Sequence, residues 1–253
     1  MGADGLEIWV ASCVLLSLRV MPVFLFAPPF TLMRVPRLML ALMSLGFALA
    51  LVSAMPESAR LSRVDSGVLM LGALREFFLG MVPVVVLQLL FGSLYLAGRT
   101  IDVQAGFGLA MLIDPTTRGQ MPLVGTLFAY TAGATFFAME GHHELLRFFA
   151  ASLRAVPLAG PHGFGGLAPL VSYASTVALV ALGIGGAAIA ALLLCDIVVA
   201  MLSRTVPQMN ALLLGIQVKA AVALVVVPIA LGISGTLFAR MVADALETMP
   251  RLL

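Results

Sequence analysis

Charged side chains are scarce in this chain of 253 residues, of which only 10% are Asp, Glu, Lys or Arg and 62% are hydrophobic. Soluble domains carry about 25% charged residues, because a surface in water needs a polar shell. The mean hydropathy of +1.13 agrees with this shortage. Much of the surface must therefore contact lipid or a large apolar assembly, which indicates an integral membrane protein.

Cysteine and positive charge are also sparse. The two cysteines, Cys13 and Cys195, lie far apart in apolar segments. They form neither a zinc motif nor a disulfide framework, so we interpret both as small buried hydrophobic residues. The net charge of +2, with arginines dispersed along the chain, argues against nucleic acid as a partner.

Motifs for catalysis, metal binding and cofactor binding are missing as well. The chain has no P-loop, no G-x-S-x-G turn and no H-E-x-x-H motif. The run GHHE at residues 141–144 suggests a metal, but adjacent histidines on a helix point in different directions. We therefore expect a helix start or loop there, and neither an enzyme nor a cofactor.

Six apolar stretches follow one another along the chain, and most approach the roughly 20 residues with which a helix spans a bilayer. They cover residues 8–26, 38–55, 77–97, 121–139, 168–201 and 211–239. Their Ala, Leu and Gly content favours helices, and Pro228 offers a kink in the last one. The sequence predicts an all-α polytopic membrane protein of helical hairpins, forming a single domain over residues 1–253.

Asp196 and Lys219 lie inside the last two apolar stretches, where charge is costly. Asp196 stands 11 residues before Pro207, and Lys219 stands 12 residues after it. If the chain turns near Pro207, an antiparallel hairpin places both charges at the same depth. We predict a structural ion pair between them, and the alternative is a proton relay.

Small residues form a second feature of the same hairpin. The glycines at 183, 185 and 186 and the alanines at 187, 188, 190 and 191 lie close together on one helix. Such a surface lets another helix approach closely, so it predicts tight helix packing against a partner that the sequence does not identify.

The segment of residues 98–122, GRTIDVQAGFGLAMLIDPTTRGQMP, alternates apolar residues with glycines between Asp102 and Asp114. Gly106 and Gly108 weaken a helix, and a proline after Asp114 ends one. Open apolar backbone suits neither water nor lipid, so we expect this segment against protein or in a cavity. The alternative is an ordinary interhelical turn with a buried edge.

The same segment fits the pattern G-x-x-x-D-x-Q-x-G-x-x-x-A-x-x-x-D-P followed by M-P. Further motifs are A-P and V-P-R within residues 27–37, REFFLG at 75–80, G-H-x-x-L-L at 141–146, and P-Q-x-N at 207–210 with Lys219 beyond it. Over nearly its whole length the chain resembles the flagellar biosynthetic protein FliR family. The virulence counterpart of that family is the T component of the type III secretion export apparatus.

This resemblance implies a subunit of the flagellar protein-export gate in the bacterial inner membrane, at the flagellar basal body. It implies FliP-like and FliQ-like partners in a helical closed ring, FlhB-like and FlhA-like components around it, and unfolded export substrates. It also implies that residues 98–122 form the plug loop, of which residues 106–122 project into the pore. The candidate plug residues are Gly106, Phe107, Gly108, Leu109, Met111, Leu112, Asp114 and Pro115.

Three alternatives stay open. The virulence export system would use the same kind of subunit. A secondary transporter would need an internal repeat, and none is convincing. An intramembrane enzyme would need a nucleophile or a metal set.

Overall fold

The computed structural model describes residues 3–33, 35–59, 61, 66–107, 122–160, 166–206 and 210–253. This part of the chain consists of helices without a strand, which confirms the all-α prediction. In chain order the helices are α1 Ala3–Phe26, α2 Pro28–Thr31, α3 Arg37–Ala54, α4 Pro56–Ala59, α5 Ser66–Gln104, α6 Leu123–Ala138, α7 Gly141–Ala155, α8 Ala168–Thr205, α9 Ala211–Ile233 and α10 Gly235–Arg251.

Several of these helices are long and apolar enough to cross a membrane. Among the described residues there are five such helices, and six crossings result if the bent pair α6 and α7 counts as one span. The five spans are Gly5–Phe26, Arg37–Ala54, Leu69–Gln104, Ala168–Thr205 and Leu212–Ile233. This confirms a polytopic membrane protein.

Helix α5 is longer than the apolar stretch of residues 77–97 that predicted it. It extends through residues 98–104, which were assigned to a loop. The helix continues there because Asp102 and Gln104 have hydrogen-bond partners on other helices. It ends just before Gly106, which has a φ of 85° and thus a conformation that favours glycine.

Helix α7 lies between the apolar stretches of residues 121–139 and 168–201, and it begins at the GHHE run. Its buried residues include Leu145, Phe148, Phe149 and Leu153, spaced as the inner face of an amphipathic helix. A search for long apolar runs misses such a helix, because half of its surface is polar.

The last apolar stretch, residues 211–239, is two helices rather than one kinked helix. Helix α9 continues past Pro228 to Ile233, and the break lies at Ser234. The Ser234 carbonyl accepts hydrogen bonds from the backbone N–H groups of Leu237 and Phe238, so a new helix starts there. The break coincides with a change from a mostly apolar helix to an amphipathic one.

Tertiary contacts divide the chain into two compact units. The first comprises Met1–Leu89, Phe136–Tyr173 and Ala243–Leu253, and the second comprises Leu90–Thr135 and Ala174–Val242. In the first unit, α1 packs along α3 and buries Leu16 and Val20. In the second unit, the rings of Phe128 and Phe238 meet edge to face with centroids 6.1 Å apart.

Two glycines of α5 allow other helices to touch its backbone. A Cβ atom on Gly80 would overlap the carbonyl oxygen of Arg19 in α1. A Cβ atom on Gly98 would lie 2.5 Å from the backbone nitrogen of Gly125 in α6. Because rigid backbone cannot move aside as a side chain can, both positions require glycine.

A Gly98→Ala substitution should therefore destabilise the protein by about 1–3 kcal/mol, the usual cost of overpacking. The matched control is Gly92→Ala on the same helix, where an added Cβ meets no atom within 4 Å. This control should be neutral or stabilise the helix by about 0.5–1 kcal/mol. Unfolding of the purified variants in a denaturing-detergent titration measures both values, and equal stabilities would contradict the close approach.

Candidate functional site

The segment singled out by the sequence begins at the end of α5 and finishes at the start of α6, and its two ends are joined. Asp102 of α5 is buried, and its carboxylate accepts hydrogen bonds from the backbone N–H groups of Val124 and Gly125. The distances from Val124 N to the two carboxylate oxygens are 3.0 and 3.1 Å. Asp102 thus satisfies the free N–H groups of the first turn of α6, where the helix dipole also favours negative charge.

A second polar group fixes the end of α5. The side-chain amide of Gln104 donates a 2.8 Å hydrogen bond to Oδ2 of Asp196 in α8. The other oxygen of Asp196 forms an ion pair with Nζ of Lys219 in α9. The three side chains link three helices of the second unit through one carboxylate.

The ion pair of Asp196 and Lys219 brings together the two charges that the sequence places at equal depth. The Asp196 side chain is 40% exposed and that of Lys219 is 20% exposed, so the pair is only partly enclosed by this chain. Pro207, the centre of the predicted turn, lies outside the described residues. Asn210 beyond it caps α9 by accepting a hydrogen bond from Leu213 N.

Of the candidate plug residues, the structure describes the first two. Gly106 follows the end of α5, and Phe107 beside it is half-buried. The remaining candidates, Gly108, Leu109, Met111, Leu112, Asp114 and Pro115, lie outside the described residues.

The small-residue face of α8 divides into two parts. An added Cβ on Gly185 would touch Ala97 and Ile101 of α5 at ordinary contact distances of 3.5–3.8 Å. Added Cβ atoms on Gly183 and Gly186 would meet no atom within 4 Å. One glycine therefore serves packing within this chain, and the other two lie on an open part of the helix.

Sequence reasoning missed the most buried polar cluster, which lies in the first unit. Arg19 of α1 and Glu76 of α5 are each 1% exposed and form a bidentate ion pair. The Nε–Oε2 distance is 2.5 Å and the Nη2–Oε1 distance is 3.1 Å. In addition, Arg19 donates to the Ser152 hydroxyl and to the Val156 carbonyl, at 3.2 and 3.1 Å.

This cluster also holds the chain after α7. Oε1 of Glu76 accepts a 3.0 Å hydrogen bond from the backbone N–H of Ala159, which has a φ of 57°. The carboxylate therefore connects α1, α5 and the turn that follows α7. The sequence carried a signal for it, because Arg19 is a lone charge within an apolar stretch and such a charge needs a partner.

The two histidines of the GHHE run contact each other rather than converging on a shared point. Their ring centroids are 4.1 Å apart, and His142 also packs on Phe137. Within the described ranges, no group of three or more His, Cys, Asp or Glu side chains is arranged to hold a metal ion.

Comparison with known proteins gives one family. The family model described as "Bacterial export proteins, family 1" matches residues 10–245. The flagellar biosynthetic protein FliR of Bacillus subtilis (strain 168) is 29% identical to this chain over 189 residues, which cover 73% of each chain. FliR of Escherichia coli (strain K12) is 23% identical over 187 residues, covering 70% of this chain and 71% of that protein. The Yop proteins translocation protein T of Yersinia pestis is 28% identical over 169 residues, covering 63% and 62%.

Removing one partner of the buried cluster should leave an uncompensated charge in an apolar core. We expect Glu76→Gln to lower the free energy of unfolding by about 3–5 kcal/mol, the usual cost of breaking a buried ion pair. Glu57→Gln, which changes an exposed carboxylate on α4, should have little effect. A denaturing-detergent titration of both variants measures the difference, and a Glu76→Gln protein as stable as the control would contradict the role of the cluster.

Reversing one charge of the Asp196–Lys219 pair should impair assembly of the chain into a complex, and reversing both charges should restore it. In the double variant Asp196→Lys/Lys219→Asp the opposite charges still face each other, whereas each single reversal leaves two like charges. Recovery of the membrane-embedded protein in a large complex is the measurement. A double variant as defective as the single ones would mean that the two residues are not energetic partners.

Proposed function

The chain belongs to family 1 of the bacterial export proteins and is a subunit of a type III protein-export apparatus, and from this premise we propose that it is a core subunit of the flagellar export gate. The gate lies in the bacterial inner membrane at the basal body and passes unfolded flagellar proteins. The names of the relatives from Bacillus subtilis and Escherichia coli support the flagellar role. The Yersinia relative supports the virulence system as the second candidate.

The observation that carries the proposal is the anchoring of the segment after α5. Its two flanking turns are joined by the Asp102 hydrogen bonds and by the backbone contact of Gly98 with Gly125. A segment whose ends are joined and whose sequence carries apolar residues beside glycine is suited to closing a conduit, because its displacement need not separate the helices that bear it. We therefore propose that residues 106–115 act as the plug of the gate.

Apolar side chains can seal such a conduit against ions. A constriction of this kind excludes water until a substrate displaces it. The candidates for the seal are Phe107, Leu109, Met111 and Leu112, among which the flexible methionine can adapt to varied chains. Gly106 and Gly108 would supply the hinge, and Gly106 already has a positive φ.

The proposed partners are FliP-like and FliQ-like subunits, with FlhB-like and FlhA-like components beyond them. Their support is the large apolar surface that this chain leaves uncovered. In the most hydropathic stretch of the α9 span only 17% of residues are buried, and Leu212, Leu224 and Ile233 are among its exposed residues. Sister subunits and lipid together would cover this surface, and Asp196 with Lys219 would hold the hairpin that bears it.

Replacing the four seal residues by serine should make the assembled gate leaky to ions, because a polar constriction no longer excludes water. Conductance of purified complexes in planar bilayers measures the leak. Val103→Ser is the control, since Val103 is exposed on α5 just before the proposed plug residues 106–115.

Conductance is compared only between complexes whose size and subunit composition match those of the wild type. Unaltered conductance in such complexes would refute the plug. Recovery of the wild-type chain as a self-sufficient monomer would refute the gate itself, and normal swimming of a host that lacks this chain would refute the flagellar role.

A further inference from the structure

Helix α7 lies beside the centres of two membrane-spanning helices of the first unit. The rings of Phe149 in α7 and Phe47 in α3 have centroids 6.5 Å apart, and Phe47 stands near the middle of the α3 span. Ser152 of α7 accepts a 3.2 Å hydrogen bond from Arg19, which stands near the middle of the α1 span. Two separate contacts thus place the central part of α7 at the middle depth of α1 and α3.

The whole of α7 then fits within the depth of the hydrocarbon. Its 15 residues form a helix about 22 Å long, so neither end lies more than about 11 Å from its middle. Half of the hydrocarbon core of a bilayer is about 15 Å thick. The outward-facing side chains of α7 are therefore surrounded by lipid chains, by protein or by enclosed water.

The exposed face of α7 is basic. The Arg147 side chain is 76% exposed and forms a 2.5 Å ion pair with Glu144, whose side chain is 45% exposed. Residues four, four and three positions apart lie along one side of a helix, and the exposed residues of α7 follow this spacing. The resulting basic stripe consists of His143, Arg147, Ala151 and Arg154.

Helix α3 presents the opposite kind of face at the same depth. Its exposed side chains include Leu38, Leu42 and Leu45. Leucine suits lipid chains, whereas an arginine in the centre of a bilayer is costly. Long side chains near the ends of a spanning helix can reach the head groups, but Arg147 lies two residues from Phe149, near the middle. Lipid therefore fits the face of α3 and does not fit the basic stripe of α7.

Water fits the basic stripe better than a partner polypeptide does. The core of a protein interface is depleted in charged residues, and aromatic or aliphatic side chains anchor it. The stripe offers two arginines and a histidine, with alanine as its apolar member. Charged residues at membrane depth face either the interior of a helix bundle or a water-filled cavity. The bundle side of α7 is already taken by Leu145, Phe148 and Leu153, which are buried.

We propose that the basic stripe of α7 borders the water-filled conduit through which the unfolded substrate passes. Hydrated charged side chains offer little apolar surface to which an unfolded chain could adhere, so such a wall lets the chain slide. The assignment to a conduit rests on the proposed gate function. The contact of α7 with water follows from its depth and its charge alone.

A cysteine in the basic stripe tests the contact with water. In assembled complexes whose native Cys13 and Cys195 are replaced by alanine, Ala151→Cys adds a small thiol to the stripe without changing a charge. N-ethylmaleimide should modify this variant at least about tenfold faster than Leu45→Cys, because the reactive thiolate forms in water and not among apolar groups. Leu45→Cys is the matched control, since Leu45 is exposed near the middle of α3.

An arrested substrate distinguishes the conduit from other water. A flagellar filament protein fused to a stably folded domain stops in the gate, because the folded domain cannot pass. Its presence should remove most of the reactivity of Ala151→Cys, and a photoreactive amino acid at position 147 should cross-link to the arrested chain. If Ala151→Cys complexes do not assemble, His143→Cys two turns earlier on the same stripe takes their place.

Three results would overturn the proposal. The first is equally slow modification of Ala151→Cys and Leu45→Cys, and the second is fast modification that an arrested substrate leaves unchanged. The third is a cross-link from position 147 to a partner subunit and not to the arrested chain, which would assign the stripe to a subunit interface. In complexes that still export protein, each of these results refutes the role of α7 alone. Failure of the gate function itself would appear without any cysteine, as a wild-type chain that is a self-sufficient monomer.

Discussion

Polar groups inside an apolar helical protein must find partners, and this requirement governs both units of the molecule. Neither lipid hydrocarbon nor packed apolar side chains can hydrogen-bond to a buried carboxylate or guanidinium. Glu76 resolves the problem by pairing with Arg19 and accepting from the backbone of Ala159. Asp102 resolves it by accepting hydrogen bonds from the backbone of the first turn of α6. In each case the acid also decides which helices meet, because its partners lie on other segments of the chain.

Glycine residues on α5 allow these helices to pack in close backbone contact. In the first unit, Gly80 stands four residues after Glu76 and accommodates the carbonyl oxygen of Arg19. In the second unit, Gly98 stands four residues before Asp102 and accommodates the backbone of Gly125. Residues four apart share a helix face, so each pair of acid and glycine on α5 faces one neighbouring helix. The acid comes first in the pair that faces α1, and the glycine comes first in the pair that faces α6. The glycine permits close approach of the two backbones. The acid then accepts hydrogen bonds from the polar groups that this approach brings within reach.

The sequence was most informative where one signal dominates. Long apolar runs predicted the spanning helices. The nearly equal distances of Asp196 and Lys219 from Pro207 along the chain predicted that these two charges face each other. It was least informative where local composition conflicts with tertiary partners. Residues 98–104 contain glycine, arginine and aspartate and suggest a loop, yet they continue α5 because Asp102 and Gln104 are satisfied by α6 and α8. Helix α7 lies outside the six apolar stretches for the opposite reason, since its polar half lowers its hydropathy. The pairing of Arg19 with Glu76 joins positions 57 residues apart, and spacing alone does not reveal it.

The 39 residues of α5 have a consequence for the surrounding membrane. A helix of this length measures about 58 Å, whereas a bilayer with its head groups is about 40–45 Å thick. Strong tilt of the helix, or enclosure of the excess length in other protein, accommodates this difference. Where the helix tilts, its angle depends on the thickness of the bilayer, so thin and thick membranes would orient the same chain differently.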